Sequence, residues 1–164
     1  MALVGCGRIS STHFSSMSEH KDNIELISIC DNNQSILREH VKKHNTKGYL
    51  NFEEMLQNED LDLVAITSPS GLHAEQTELC AKYGVNIMTE KPMATRWSDG
   101  IRMVKVCDDA GVRLFVVKQN RRNSTLQLLK RATQENRFGK IHMVNLNVFW
   151  TRPQEYYDQA SWRG

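Results

Sequence analysis

This sequence has no apolar run near the roughly 18 residues that a membrane-crossing helix needs, so no membrane partner is expected. It also lacks an excess of charge of either sign. The 21 Lys and Arg against 19 Asp and Glu leave a formal +2, too little to imply a nucleic acid or a lipid surface as partner. No C-x-x-C pair occurs among its four cysteines, Cys6, Cys30, Cys80 and Cys107. Three of them lie in or beside apolar segments and read as buried, reduced thiols, which argues against a disulfide framework and for a cytoplasmic protein. No repeat of solenoid length and no low-complexity stretch is present. The opening Met1-Ala2-Leu3-Val4-Gly5 runs straight into a glycine turn, so no signal peptide is expected. His13, His20, His40 and His44 fall on or near predicted helices without a matching carboxylate set, and no metal site is expected.

What is present is ordinary soluble-protein material: 164 residues, 40% apolar and 24% charged. A chain of that length can bury about two-thirds of its unfolded surface. Short apolar runs alternate with helical periodicity. Strands are predicted at 2–5, 24–30, near Tyr49, at 61–67, 85–89 and 113–117. Helices are predicted at 9–20, 33–44, 52–57, 70–83 and 96–110, with Gly84 and Gly111 placed to close two of them. The run Leu61 to Thr67 is apolar enough to be buried on both faces. This order predicts an α/β fold, a doubly wound, mostly parallel sheet with helices on both sides.

The texture changes at 117–122. A helix is predicted at 124–136 and a long strand at 141–150. There Val144, Leu146, Val148 and Trp150 alternate with polar residues, as in a sheet with one covered face. The expected organisation is one doubly wound α/β domain over 1–118 and, over 119–164, the start of an α+β domain with a largely antiparallel sheet. That second part is about a third of a usual domain, so the chain reads as a piece of a longer protein.

Gly5-Cys6-Gly7-Arg8-Ile9-Ser10 reads G-x-G-x-x-S. The first glycine permits a tight turn and the second lets the backbone approach a pyrophosphate. A small third residue packs helix on strand, and the helix start offers free N–H groups. A plain glycine turn would need much the same residues, so context decides. Asp31 closes the second strand 24 residues after Gly7, where a carboxylate binds the adenosine ribose and repels a 2′-phosphate. Neither Asn32 nor Asn33 supplies a positive charge, so NAD is the expected cofactor in preference to NADP. The competing role for Asp31 is a helix N-cap, which Asn32 could equally fill.

Glu90-Lys91-Pro92 follows the fifth strand, and ligands of open α/β sheets lie beyond the carboxyl ends of strands. A Lys91 ammonium there can stabilise charge that develops on a substrate oxygen during hydride transfer. Pro92 can fix the turn, with a cis bond as one way to do so. An isolated lysine before a helix would simply be solvated.

These segments, with Thr67-Ser68-Pro69 and His73, resemble the glucose-fructose oxidoreductase, inositol dehydrogenase and MocA family (Gfo/Idh/MocA), over the whole chain as the N-terminal half of a member. The resemblance implies NAD held by Gly5, Gly7, Arg8, Ile9, Asp31, Ser68, Pro69, His73, Glu90 and Lys91, with Lys91 catalytic. For His73, a polar residue in the first turn of a helix is an equal alternative. Residues 117–123 and 149–157 look like the branch that oxidises UDP-N-acetylglucosaminuronate at the sugar 3-position. That implies a nucleotide-sugar substrate met by Lys91, Lys118, Asn120, Arg121, Arg122, Arg152, Tyr156 and Tyr157. It also implies NADH recycled by 2-oxoglutarate, and a homo-oligomer, tetrameric for the intact protein. The three arginines suit a diphosphate or carboxylate through bidentate hydrogen bonds. For Arg121 and Arg122 the alternative is a solvated helix start. The family's downstream histidine lies beyond Gly164, and His142 reads as a sheet-surface residue. Two other readings stay open: a non-catalytic NAD(H)-binding module, and a methyltransferase, against which the Glu-Lys-Pro turn argues. Members acting on another sugar or polyol are a further alternative.

Overall fold

The computed structural model describes residues 1–159; residues 160–164, which end the expected second domain, lie outside the described residues. The chain divides into two units, Met1–Val117 and Lys118–Gly164.

In the first unit strands and helices alternate: β1 (Ala2–Val4), α1 (Ser10–Glu19), β2 (Ser28–Cys30), α2 (Gln34–His44), β3 (Lys47–Tyr49), α3 (Phe52–Asn58), β4 (Leu63–Ile66), α4 (His73–Lys82), β5 (Asn86–Thr89), α5 (Trp97–Ala110) and β6 (Leu114–Val116). Every strand pair is parallel, in the order β3-β2-β1-β4-β5-β6. This is the Rossmann arrangement. The chain winds outward from β1 in one direction, then from β4 in the other, and the carboxyl ends of β1 and β4 flank a crevice where the order reverses.

The central strands are apolar because both faces are covered. On one face Leu3, Ile29 and Ala65 pack with Phe14 and Met17 of α1 and Leu37 of α2. On the other Val4, Val64, Ile66 and Ile87 pack with Met55 of α3, Cys80 and Ala81 of α4 and Cys107 of α5. Polar residues punctuate the elements. The Asn33 side chain accepts from the N–H groups of Ser35 and Ile36 and starts α2. Asn51 does the same for α3 through Glu54 N–H. Gly111, at φ 69°, closes α5. The second strand is shorter than the apolar run predicted. Its partner β1 spans only Ala2–Val4, in register with Ser28–Cys30, and residues 25–27 are joined to it only through Met1, whose ammonium donates to the Glu25 carbonyl and whose carbonyl accepts the Ile27 N–H.

In the second unit a 3-10 turn, Gln119–Arg122, leads to α6 (Ser124–Gln134), capped by Asn123, and α7 (Gln154–Asp158) follows. The strand predicted at 141–150 does not form: the segment pairs with no strand among the described residues, and Leu146 is 84% exposed. Alternation states which face a strand would bury. The strand itself needs a neighbour to take its N–H and C=O groups.

Candidate dinucleotide and active site

The turn after β1 is built around Gly5. Its φ of +91° is open to few side chains, and a Cβ there would lie 2.5 Å from the backbone nitrogen of Ser68. The strand end thus nests against the Thr67–Ser68 turn, where Thr67 Oγ1 lies 2.6 Å from the Gly5 carbonyl. Gly7 is the opposite case: a Cβ there would meet nothing within 4 Å, so open space faces the second glycine. Among the described residues no protein acceptor takes the N–H groups of Gly7, Arg8 or Ile9. Ser10 is fully buried and donates its hydroxyl to the Gly7 carbonyl at 2.6 Å, the close helix–strand packing expected of a small third residue. Free donors, open space and a helix start at one point suit a diphosphate.

Asp31 follows β2 at the same edge of the sheet. Its Oδ2 accepts the Cys6 N–H and its Oδ1 the Asn33 N–H, both at 2.8 Å. Because Asn33 caps α2, neither Asp31 nor Asn32 has that task. A carboxylate offers about four lone-pair sites, so two remain for a pair of vicinal ribose hydroxyls. The donor set and the space therefore fit a dinucleotide. The neighbouring thiols of Cys6 and Cys30 are both pushed up to about 12 by burial and then by the Asp31 charge, which leaves them protonated and unreactive.

Beyond β4, the Ser68 hydroxyl bonds Gln76 of α4, and Pro69 starts the short 3-10 turn Ser70–Leu72. His73 is 1% exposed. Its Nδ1 lies 2.9 Å from the Pro92 carbonyl and its Nε2 3.0 Å from the Ser68 carbonyl. Both ring nitrogens are thus occupied by backbone, and the ring links the Ser68 turn to the Glu-Lys-Pro turn.

That turn leaves β5 at Glu90. The Lys91–Pro92 peptide is cis. Glu90 is buried, and its Oε2 accepts the Lys91 N–H at 3.1 Å. Its Oε1 meets His13 Nε2 of α1 at 2.9 Å. Burial pushes the Glu90 pKa up, but the His13 hydrogen bond, the Lys91 N–H and the nearby positive charge outweigh it, and the carboxyl lies below its ordinary value. Lys91 itself is exposed at the carboxyl edge of the sheet.

His13 was not expected here. Ser10, Phe14 and Met17 are the buried residues of α1, and position 13 completes their i, i+3, i+4, i+7 stripe. Periodicity therefore marks His13 as facing inward. Its partner, 77 residues away, follows only from the strand order.

The remaining candidates lie in the second unit. Lys118 precedes the turn that holds Asn120, Arg121 and Arg122, all exposed. The arginine pair thus sits before α6, with Asn123 as the cap between. The Arg152 guanidinium lies 4.9 Å from the Trp150 ring and 5.0 Å from the Tyr156 ring, and Tyr156 meets Tyr157 edge-on at 5.3 Å. Arg152 and the two tyrosines therefore form one local cluster around α7.

The Gfo/Idh/MocA family model, described as an oxidoreductase family with an NAD-binding Rossmann fold, matches residues 1–118. The WlbA dehydrogenase of Chromobacterium violaceum, solved with NADH and UDP-GlcNAcA, is 58% identical with a TM-score of 0.96, over 99% of this chain and 47% of that one. The WlbA dehydrogenase of Bordetella pertussis, solved with the same two ligands, is 53% identical with a TM-score of 0.97, over 99% of this chain and 50% of that one. D-apiose dehydrogenase of Paraburkholderia graminis is 32% identical over 152 residues, 92% of this chain and 38% of that protein. This chain thus spans half or less of the length of these proteins. The chain belongs to the Gfo/Idh/MocA family of oxidoreductases, whose Rossmann fold binds NAD.

Proposed function

We propose that this chain is the dinucleotide-binding half of an NAD-dependent dehydrogenase that oxidises the 3-hydroxyl of UDP-N-acetylglucosaminuronate. The observation that carries the reading is the 53–58% identity, over 99% of the chain, to two dehydrogenases solved with NADH and UDP-GlcNAcA. The likeness to D-apiose dehydrogenase is much lower, at 32%.

The N–H groups of Gly7, Arg8 and Ile9 bind the diphosphate, and Asp31 binds the adenosine ribose hydroxyls. Ser68, Pro69 and Glu90 line the path from that ribose to Lys91, and His73 braces it. NAD held by these residues would supply the hydride acceptor for the sugar carbon. Lys91 donates a hydrogen bond to the oxygen of that carbon and stabilises the negative charge that grows there as the hydroxyl proton leaves, which readies the carbon to give up its hydride. The hydroxyl proton passes to a base of the substrate domain that continues beyond Gly164. Arg121, Arg122 and Arg152 suit the substrate's diphosphate and carboxylate, with Lys118 and Asn120 on its polar groups and Tyr156 and Tyr157 on its rings. Re-oxidation of NADH by 2-oxoglutarate and assembly into a homo-oligomer belong to the same reading.

The test is an NADH absorbance assay of the full-length enzyme with UDP-N-acetylglucosaminuronate, with and without 2-oxoglutarate, against inositol and D-apiose. Turnover is expected on the nucleotide sugar alone, with NADH bound more tightly than NADPH. Lys91→Met should lower kcat by about 10²–10³-fold while NADH affinity stays within about threefold. Turnover on a free polyol and none on the nucleotide sugar overturns the substrate. Near-normal kcat in the Met variant removes Lys91 from the chemistry.

A further inference from the structure

Two helices from opposite faces of the sheet hold the turn that carries Lys91. From α4, His73 reaches the Pro92 carbonyl. From α1, His13 reaches Glu90, whose other oxygen accepts the Lys91 N–H. The His13 and Glu90 side chains are each 10% exposed. An ionised carboxylate can only accept, so the proton of this bond sits on His13 Nε2 and His13 is the donor. In the sheet, β4 lies between β1, which feeds α1, and β5, which ends at Glu90. The bond therefore spans a strand to join two turns that backbone pairing leaves apart. One is the Gly7-Arg8-Ile9 turn at the start of α1, with its free N–H groups. The other carries Lys91.

We propose that His13 is a positioning residue. Its bond to Glu90 fixes the Lys91 backbone to the helix whose first turn seats the dinucleotide phosphates, so that lysine and cofactor share one rigid frame. This deepens the function proposed above and rests on Lys91 being the reacting lysine. Hydride transfer depends on placement within a fraction of an ångström, and a displacement near 1 Å costs on the order of 10²-fold in rate. Loss of the bond should therefore act on kcat and leave cofactor affinity nearly intact, because the diphosphate donors are backbone groups of residues 7–9.

The experiment compares His13→Phe, which keeps ring volume and removes the donor, with His13→Gln, whose side-chain amide can still donate to Glu90. Both are made in the full-length enzyme, with NAD supplied for the kcat assay and NADH for the binding and exchange measurements. His13→Phe should lower kcat about 10- to 100-fold, with NADH Kd and substrate KM within about threefold. His13→Gln should recover to within about threefold of the parent. Hydrogen exchange supplies a readout that needs no substrate. In His13→Phe the Lys91 amide should exchange at least about tenfold faster, while amides of β1 and β4 keep their protection. If His13→Phe does not fold, Glu90→Gln with the same two readouts takes its place.

Unchanged exchange at Lys91 overturns the proposal, as does a local increase with kcat unaltered. Exchange that rises across the whole sheet also overturns it, since the bond would then only stabilise the fold. If the parent enzyme does not act on the nucleotide sugar, the substrate reading fails by itself. The exchange arm then decides the positioning role: local loosening supports it and its absence refutes it.

Discussion

Met1–Val117 and the residues from Lys118 onward draw on similar amino acids and put them to different use. α6 carries a clear apolar stripe and a capping asparagine, yet Leu126 and Leu129 on it are about half exposed. α1, written SSTHFSSMSE, is poor in apolar residues, yet Phe14 and Met17 are buried. Local pattern and caps are enough to form a helix. Burial depends on whether a complementary surface stands beside it. The first unit has such a surface in its sheet. In the second unit, no described residue is buried.

The largest test of this contrast removes one apolar side chain from each unit. Ile66 is fully buried in β4 between the helices of one face and the strands on either side. Ile66→Ala should cost about 3–5 kcal/mol, the transfer of the lost methyl groups plus the cavity they leave. Leu146→Ala in the second unit should stay within about 0.5 kcal/mol, as expected for a surface change. Denaturant melts of the chain measure both. An equal cost would mean that the segment around Leu146 is packed in solution and would dissolve the contrast.

A smaller pair compares two glycines with positive φ. Gly5 (φ +91°) faces the Ser68 backbone, and Gly139 (φ +60°) faces open space. Gly139→Ala should cost only the backbone term, about 1 kcal/mol. Gly5→Ala adds a contact that no flexible side chain can relieve, so about 2–4 kcal/mol is expected, with NADH affinity lowered at least tenfold. Thermal melts and a fluorescence titration read both quantities. Equal stability losses would mean that the Gly5 turn can move away from Ser68.

These residues also show what the sequence could and could not convey. Gly5, Gly7 and Asp31 were legible because their spacing reflects backbone geometry inside one β-α-β unit. The strands were legible because a sheet covered on both faces needs apolar runs. The bond from His13 to Glu90 was not, because it depends on where β5 falls relative to β1. The double backbone contact of His73 was hidden for the same reason: it joins two loops that are distant in sequence. The strand expected at 141–150 rested on alternation alone, which says nothing about whether a partner is at hand.

The smallest expected effect is one of pH, and it too separates the units. In the first, Phe14 stacks on His44 at 3.9 Å between ring centroids and on His40 at 5.2 Å. His40 Nδ1 and His44 Nε2 are buried without a hydrogen-bond partner. Burial, then the neighbouring His40 and Lys43 charges, lower the His44 pKa from its ordinary 6.5. The folded chain therefore binds a proton at His44 less readily than the unfolded chain does. As pH falls through about 6.5 the unfolded state takes up that proton first, and folding loses stability until the pH lies below the folded value. The melting temperature should accordingly drop between neutral and mildly acidic pH, and His44→Gln should flatten part of that slope. His142 of the second unit is exposed, so His142→Gln should leave the slope as it was. Melts of the three chains across that range decide the matter. A slope unchanged by His44→Gln, or one flattened equally by His142→Gln, would show that the buried stack has no part in the pH response.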